Sequence, residues 1–168
     1  MIDHDILSDE EREALNEVMH AAPCNAPQRV LIVDDDADSR ELLAEILGLN
    51  DIRCLTASGV ESALQILSSH QSIGLLITDL RMAPADGLEL IRTVRDSSYA
   101  QLPIIIVSGD ANVRDAIDAM HLSVLDFLLK PINTKQLVKL VKRAPTPPRQ
   151  FIWRALNSRR RRCSTGSV

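Results

Sequence analysis

Apolar runs alternate with amphipathic segments along the middle of the chain. Four aliphatic runs are typical of buried strands, and they begin at Val30, Leu75, Ile104 and Val124. Apolar residues recur at helical spacing in five further segments, namely residues 39–49, 60–68, 88–96, 113–121 and 134–143. Alternating strands and helices of this kind are joined by right-handed crossovers. Five strands alternating with the five helical segments predict an α/β fold, a doubly wound parallel sheet with helices on both faces.

The two ends of the chain fall outside this alternation. Residues 1–28 contain a capping-box pattern at Ser8, followed by apolar residues at helical spacing as far as Pro23, which predicts an amphipathic helix and a linker. This helix either docks on the adjoining domain or forms a homodimer, and the sequence leaves both open. Residues 144–168 form a tail rich in proline and arginine that we expect to be flexible. The predicted domain is therefore 29–143.

Polar side chains follow the apolar runs at the points where the strands are expected to end. Asp34, Asp35 and Asp36 follow the first run, Asp79 the second, Ser108 the third and Lys130 the fourth. The carboxyl ends of parallel strands meet at one edge of a sheet, so these residues can converge there. Crowded carboxylates repel one another and need a compensating cation. Oxygen ligands without histidine or cysteine suit Mg²⁺.

Four sequence blocks carry a family resemblance: VLIVDDDADSR at 30–40, LITDLRMAPADG at 76–87, PIIIVSG at 103–109 and DFLLKP at 126–131. Their order and spacing resemble the receiver domain of bacterial two-component response regulators over roughly residues 29–143. The resemblance implies a flavodoxin-like sheet with strand order 2-1-3-4-5. It also implies a signalling module, not a turnover enzyme, that receives a phosphoryl group from a sensor histidine kinase or phosphotransfer protein.

The resemblance also implies a role for each residue at the strand ends. Asp79 would be the phosphoacceptor, and Asp34 and Asp35 the acidic pair of a magnesium site. Asp35 and Asp79 would bind Mg²⁺ directly, together with the backbone carbonyl of Arg81. These assignments make the acidic run a metal site whose charge is compensated by the ion.

Three further residues would bind or respond to the phosphoryl group. Lys130 would bind the phosphate, Ser108 would be the switch hydroxyl, and Phe127 would be the aromatic residue that changes rotamer on the output face. Output would then pass through contacts with a downstream protein target.

Two positions depart from the family's usual sequence. Ala83 separates Met82 from Pro84, where the family usually has proline directly after the methionine. Ser123 and Val124 stand where a Gly-Ala pair is often found before the last strand. We expect the second departure to alter a turn without changing the chemistry.

Length and composition agree with a single domain, which we expect to be cytoplasmic. Of 168 residues 45% are hydrophobic and only 2% aromatic, so the core must be aliphatic. No apolar stretch approaches the length of a bilayer span, and the acidic N-terminus lacks the pattern of a signal peptide. The three cysteines are widely spaced, and we expect no structural disulfide.

Charge is divided unevenly along the chain. All 23 acidic residues lie before residue 142, so the first 141 residues carry a net charge of −12 and the remainder +8. The run Arg159–Arg162 lies close to Trp153, a combination that can bind nucleic acid or an anionic membrane surface. The simpler interpretation is a solvated extension or the beginning of a linker, and we favour it.

Two other classes of function stay open at this point. An aspartate-nucleophile phosphohydrolase also uses an acidic magnesium site, but it needs a second acid two residues after the nucleophile, where this chain has Arg81. The other alternative is a receiver-like interaction module that acts without phosphorylation. The complete set of site residues argues against it.

Overall fold

The computed structural model describes residues 29–70, 72–110 and 112–145. The predicted N-terminal helix and the tail beyond residue 145 lie outside the described residues. The strands are β1 (Arg29–Val33), β2 (Cys54–Ala57), β3 (Ile73–Thr78), β4 (Ile104–Ser108) and β5 (Asp126–Leu129). The helices are α1 (Ala37–Gly48), α2 (Val60–Ser69), α3 (Gly87–Arg95), α4 (Val113–His121) and α5 (Thr134–Arg143).

All five strands pair in parallel, in the order β2-β1-β3-β4-β5. The predicted fold class and strand order are confirmed. Strand β1 pairs with β2 on one side and with β3 on the other, so the direction of winding changes there. In open parallel sheets, ligands bind at the carboxyl edge beside such a reversal.

The sheet separates two aliphatic layers, because successive strand residues point to opposite faces. Leu31 and Val33 of β1 face α2, α3 and α4, while Val30 and Ile32 face α1 and α5. Every residue of β3 and β4 is buried, as expected for central strands covered by helices on both faces. Among the described residues, no helix has both the length and the hydrophobicity needed to cross a bilayer.

Asparagine and aspartate side chains fix where four of the helices begin. Asp36, Asp86, Asn112 and Asn133 each accept a hydrogen bond from the backbone N–H three residues later. The cap at Asp36 explains why α1 begins at Ala37, two residues before the position that the apolar pattern suggests. Asp36 therefore serves as a helix cap within the acidic run.

The turn before β5 depends on a half-buried arginine at the end of α3. The Arg95 guanidinium donates hydrogen bonds of 2.8–3.0 Å to four backbone carbonyls, those of Ala100, Leu102, Leu122 and Ser123. Burial lowers the pKa of Arg95. The contacts connect α3 to the segments that lead into β4 and β5.

Ser123 lies in this turn with a positive φ of 53°. The left-handed region is unfavourable for a residue with a Cβ atom, and glycine adopts it readily. At this departure from the family's usual Gly-Ala pair, serine therefore adopts a conformation that favours glycine.

Replacing this serine should stabilise the domain. Ser123→Gly is expected to raise the free energy of unfolding by up to about 1 kcal/mol, because the left-handed conformation costs roughly 1–2 kcal/mol and glycine's extra chain entropy offsets part of the gain. Urea unfolding measures the change. Ser123→Ala keeps a Cβ atom and should give no gain. Equal effects of the two substitutions would contradict this explanation.

Candidate functional site

Three carboxylates meet at the carboxyl edge of the sheet. Asp34 and Asp35 follow β1, and Asp79 follows β3, the strand that pairs with β1. One oxygen atom from each lies within 4.8 Å of the other two. Asp34 and Asp79 are buried, whereas Asp35 is exposed. The structure thus brings together the three acids that the sequence predicted to converge.

Lys130 follows the edge strand β5 and reaches back to two of these acids. Its Nζ atom lies 3.0 Å from Oδ2 of Asp34 and 3.2 Å from Oδ2 of Asp79. Burial alone would lower the pKa of Lys130, but hydrogen bonds and charge attraction from Asp34 and Asp79 outweigh it and raise the pKa. The lysine therefore stays protonated and bridges the two buried carboxylates.

Backbone N–H groups hold the three carboxylates in position. Asp34 accepts from the N–H of Asp36 at 2.9 Å, and Asp79 accepts from the N–H of Arg81 at 3.2 Å. Asp35 accepts from the N–H of Ala83 at 3.3 Å. The cluster offers carboxylate oxygens and neither imidazole nor thiolate. This donor set fits Mg²⁺, a hard ion that prefers oxygen ligands.

The other two predicted residues lie on the neighbouring strands. Ser108 ends β4 and is fully buried, and its hydroxyl donates a 3.2 Å hydrogen bond to the backbone carbonyl of Asp110. Its own carbonyl accepts from the N–H of Lys130 at 2.9 Å. Phe127 pairs with Ile106 of β4, is half-buried and packs against the layer that contains α4. Ser108 therefore lies at the same edge of the sheet as the acids, but its hydroxyl donates to the loop that follows β4.

The side chain of Arg81 makes contacts that the sequence analysis did not predict. Its Nη2 atom lies 2.9 Å from Oδ2 of Asp115, in the first turn of α4, and its Nε donates to the carbonyl of Asp110 at 3.3 Å. The loop after β3 is thereby joined to the loop after β4. No local pattern links Arg81 to Asp115, because the two are 34 residues apart.

A second contact missed from the sequence is the close approach of Gly87 to Asp79. A Cβ atom at Gly87 would lie 2.0 Å from the backbone oxygen of Asp79. Only glycine allows the start of α3 to pack this closely on the end of β3. The glycine in the block LITDLRMAPADG was the available signal.

The family described as response regulator receiver domain matches residues 30–142. The chain belongs to this family. A response regulator receiver protein from Pseudomonas putida of known structure is 50% identical, with a TM-score of 0.68, over 70% of this chain and 97% of that one. The receiver domain of NtrX from Brucella abortus is 30% identical, with a TM-score of 0.64, over 68% of this chain and 96% of that one.

A longer relative is also similar to this receiver. The C4-dicarboxylate transport transcriptional regulatory protein DctD of Pseudomonas aeruginosa is 33% identical over 123 residues, which are 73% of this chain and 26% of DctD. The chain thus spans about a quarter of the length of that curated relative. Receiver domains are signalling modules that pair with histidine kinases, not turnover enzymes, and the acidic pocket of this receiver is consistent with phosphorylation on aspartate.

The contact between Gly87 and Asp79 predicts a steric effect at the site. Gly87→Ala should destabilise the receiver by about 1–3 kcal/mol, the usual cost of overpacking, because backbone atoms must move apart. It should also slow phosphorylation, because Asp79 shifts with its backbone. Thermal unfolding and labelling by acetyl phosphate measure the two effects.

The chain offers a matched control for this substitution. Gly48 ends α1, and a Cβ atom there meets nothing within 4 Å. Gly48→Ala should leave labelling unchanged and should not lower stability, because alanine favours a helix over glycine by about 1 kcal/mol. If Gly87→Ala and Gly48→Ala had the same stability and the same rate of labelling, the explanation based on close packing at Asp79 would be wrong.

Proposed function

We propose that Asp79 accepts a phosphoryl group from a histidine kinase or phosphotransfer protein. The observation that carries this proposal is the 3.2 Å contact between Asp79 and Lys130 inside the acidic cluster. The side chain of Asp34 also contacts Lys130 but is only 2% exposed, against 10% for Asp79. Asp35 is exposed and has no contact with the lysine among the described residues. Of the three carboxylates, Asp79 is the one that contacts the lysine and is also more exposed than Asp34.

The transfer is an in-line displacement. A carboxylate oxygen of Asp79 forms a bond to phosphorus while the bond from phosphorus to the donor's imidazole nitrogen breaks. The electron pair of the broken bond stays on that nitrogen, which takes up a proton from water. Lys130, already 3.2 Å from Asp79, offsets the negative charge on the phosphoryl oxygens. The receiver contributes positioning and electrostatics.

Magnesium is the cofactor that suits this chemistry. Asp35 and Asp79 would hold the ion together with the backbone carbonyl of Arg81, and Asp34 would complete the acidic pair. When bound, Mg²⁺ neutralises charge on the phosphoryl oxygens. The fit rests on the carboxylate oxygens within 4.8 Å of one another.

The response to phosphorylation would involve Ser108 and Phe127. An aspartyl phosphate adds about −1.5 to −2 charges beside Lys130. We propose that the Ser108 hydroxyl then leaves the carbonyl of Asp110 and donates to a phosphoryl oxygen. Phe127 is only half-buried and would follow toward the space that Ser108 vacates. The surface formed by α4, β5 and α5 would change and bind a downstream protein.

We further propose that residues 29–143 contain all the phosphorylation chemistry. Helix α5 ends at Arg143, and the acids and Lys130 all lie within these limits. A second, weaker proposal is that the basic tail binds nucleic acid. We place the receiver in the cytoplasm, where kinases of this type donate their phosphoryl groups.

The assignment of Asp79 predicts the effect of one substitution. Asp79→Asn keeps the size of the side chain but removes the nucleophilic charge, so labelling by acetyl phosphate and Mg²⁺ should be lost. Phosphate-affinity electrophoresis measures it. Asp36→Asn is the matched control, because asparagine is an equally good helix cap at that position. Undiminished labelling of Asp79→Asn would refute the assignment.

The magnesium proposal predicts a shift in thermal stability. Mg²⁺ that binds only the folded receiver should raise the melting temperature, with a stabilisation of about 2.7 kcal/mol at 100 times the dissociation constant. Asp35→Ala should reduce the shift. Asp96→Ala is the control: it removes an acid at the C-terminal end of α3 and should leave the shift in melting temperature unchanged. A flat magnesium titration of the wild type would exclude the site.

A further inference from the structure

A basic groove lies on the face of the sheet covered by α1 and α5, away from the acidic pocket. Its volume is about 450 Å³, and it is lined by Asn50, just after α1, and by residues of α5 that include Lys135, Val138, Lys139, Lys142 and Arg143. Helix α5 contains no acidic residue. Four positive charges therefore line one groove without an acid among its lining residues.

The described part of the chain supplies no ion-pair partner for these cations. Within residues 29–70, 72–110 and 112–145, none of the four forms a salt bridge within 4.0 Å, in contrast to Lys130, Arg81 and Arg92. Like charges on one helix face repel one another and attract a chain of opposite charge. The groove therefore suits an acidic segment with some apolar surface.

We propose that the segment of residues 8–22 of the same chain docks in this groove. Residues 1–28 contain seven acidic residues and one arginine, a net charge of −6. The C-terminal tail, in contrast, contains six arginines and no acidic residue from residue 144 onward, so it is repelled from the groove. Charge thus selects the N-terminal segment over the other terminal segment.

The place where the N-terminal segment joins the domain brings it to the groove. Arg29 begins β1 at the amino edge of the sheet and lines a cavity of about 170 Å³ together with Val141 and Lys142. Lys142 also lines the basic groove. The linker of residues 23–28 is attached at Arg29, beside this end of the groove, and six residues can span up to about 20 Å.

The predicted helix is long enough to span the whole of α5. At 1.5 Å per residue, a helix over residues 8–22 would be about 22 Å long, and α5 is about 15 Å long. A helix leading back from the linker would put residue 22 near Lys142 and Leu15 near Lys135, with residue 8 about 10 Å beyond Lys135.

Apolar surface is available on both sides of this contact. Val138 in the groove is half-buried, and Leu49, the residue before Asn50, is 81% exposed. The predicted helix carries an apolar stripe that includes Leu15 and Val18. Exposed ion pairs are individually weak and are screened by salt. The apolar contact would therefore supply the part of the binding free energy that does not depend on salt concentration.

Paramagnetic relaxation in the full chain tests the proposal. A nitroxide is attached through Ser8→Cys, with Cys24, Cys54 and Cys163 replaced by serine, and amide signals of the receiver are recorded. Docking should make the amides of the first turn of α5, Thr134 to Gln136, lose most of their intensity. Amides of α3, on the opposite face of the sheet, should keep theirs. Strong broadening confined to the amino edge, or none, would overturn the proposal.

Charge reversal adds a matched comparison. Lys135→Glu with Lys139→Glu should abolish the broadening, whereas Arg92→Glu with Arg114→Glu, which changes net charge equally on other helices, should preserve it. Adding Glu10→Lys and Glu13→Lys to the first pair should restore it, which also guards against a variant that fails to fold. Equal behaviour of the two pairs, or no restoration, would refute docking by charge.

A mixed sample distinguishes docking within one chain from docking between copies. Nitroxide-labelled protein without isotopes is mixed with isotope-labelled protein that has no thiol. No broadening of α5 in the mixture is expected for docking within one chain. Broadening there would show that a second copy supplies the segment and would overturn the proposal as stated.

Discussion

The bridge from Lys130 to Asp34 and Asp79 is the interaction on which the site depends. Two buried carboxylates near a third would destabilise the fold if they were not compensated, and removing one partner of a buried ion pair generally costs about 3–5 kcal/mol. The lysine comes from the edge strand β5 and the acids from the ends of β1 and β3. These salt bridges therefore connect the edge strand β5 to the two central strands β1 and β3.

Much of the fold follows from the apolar pattern. Four of the five strands end within one residue of the end of their aliphatic run, and two of these, β3 and β4, end in Thr78 and Ser108 beside the polar crevice. The five helices were predicted to within two residues, and the largest difference, at the start of α1, comes from a single capping contact. Helix α1 begins at Ala37 because the Asp36 carboxylate accepts from Ser39, a contact that also lowers the pKa of Asp36.

The site was predictable only where residues follow strands directly. Asp34, Asp35, Asp79 and Lys130 meet because parallel strands end at one edge, and that convergence is a consequence of topology. The salt bridge from Arg81 to Asp115 and the close packing of Gly87 are different, because they depend on how two loops happen to fold over each other. The basic groove likewise required the observed packing of α5 beside the end of α1.

The hydrogen bond from Ser108 to the carbonyl of Asp110 has a consequence for the energetics of the receiver. The buried hydroxyl already has a partner, so the resting state stores no unsatisfied polar atom at this point. When the hydroxyl moves, it exchanges its hydrogen bond to the Asp110 carbonyl for one to a phosphoryl oxygen. The net gain comes only from the greater strength of a hydrogen bond to a charged acceptor. Until an anion arrives, leaving the carbonyl of Asp110 would cost the buried hydroxyl its hydrogen bond, so the resting arrangement is favoured.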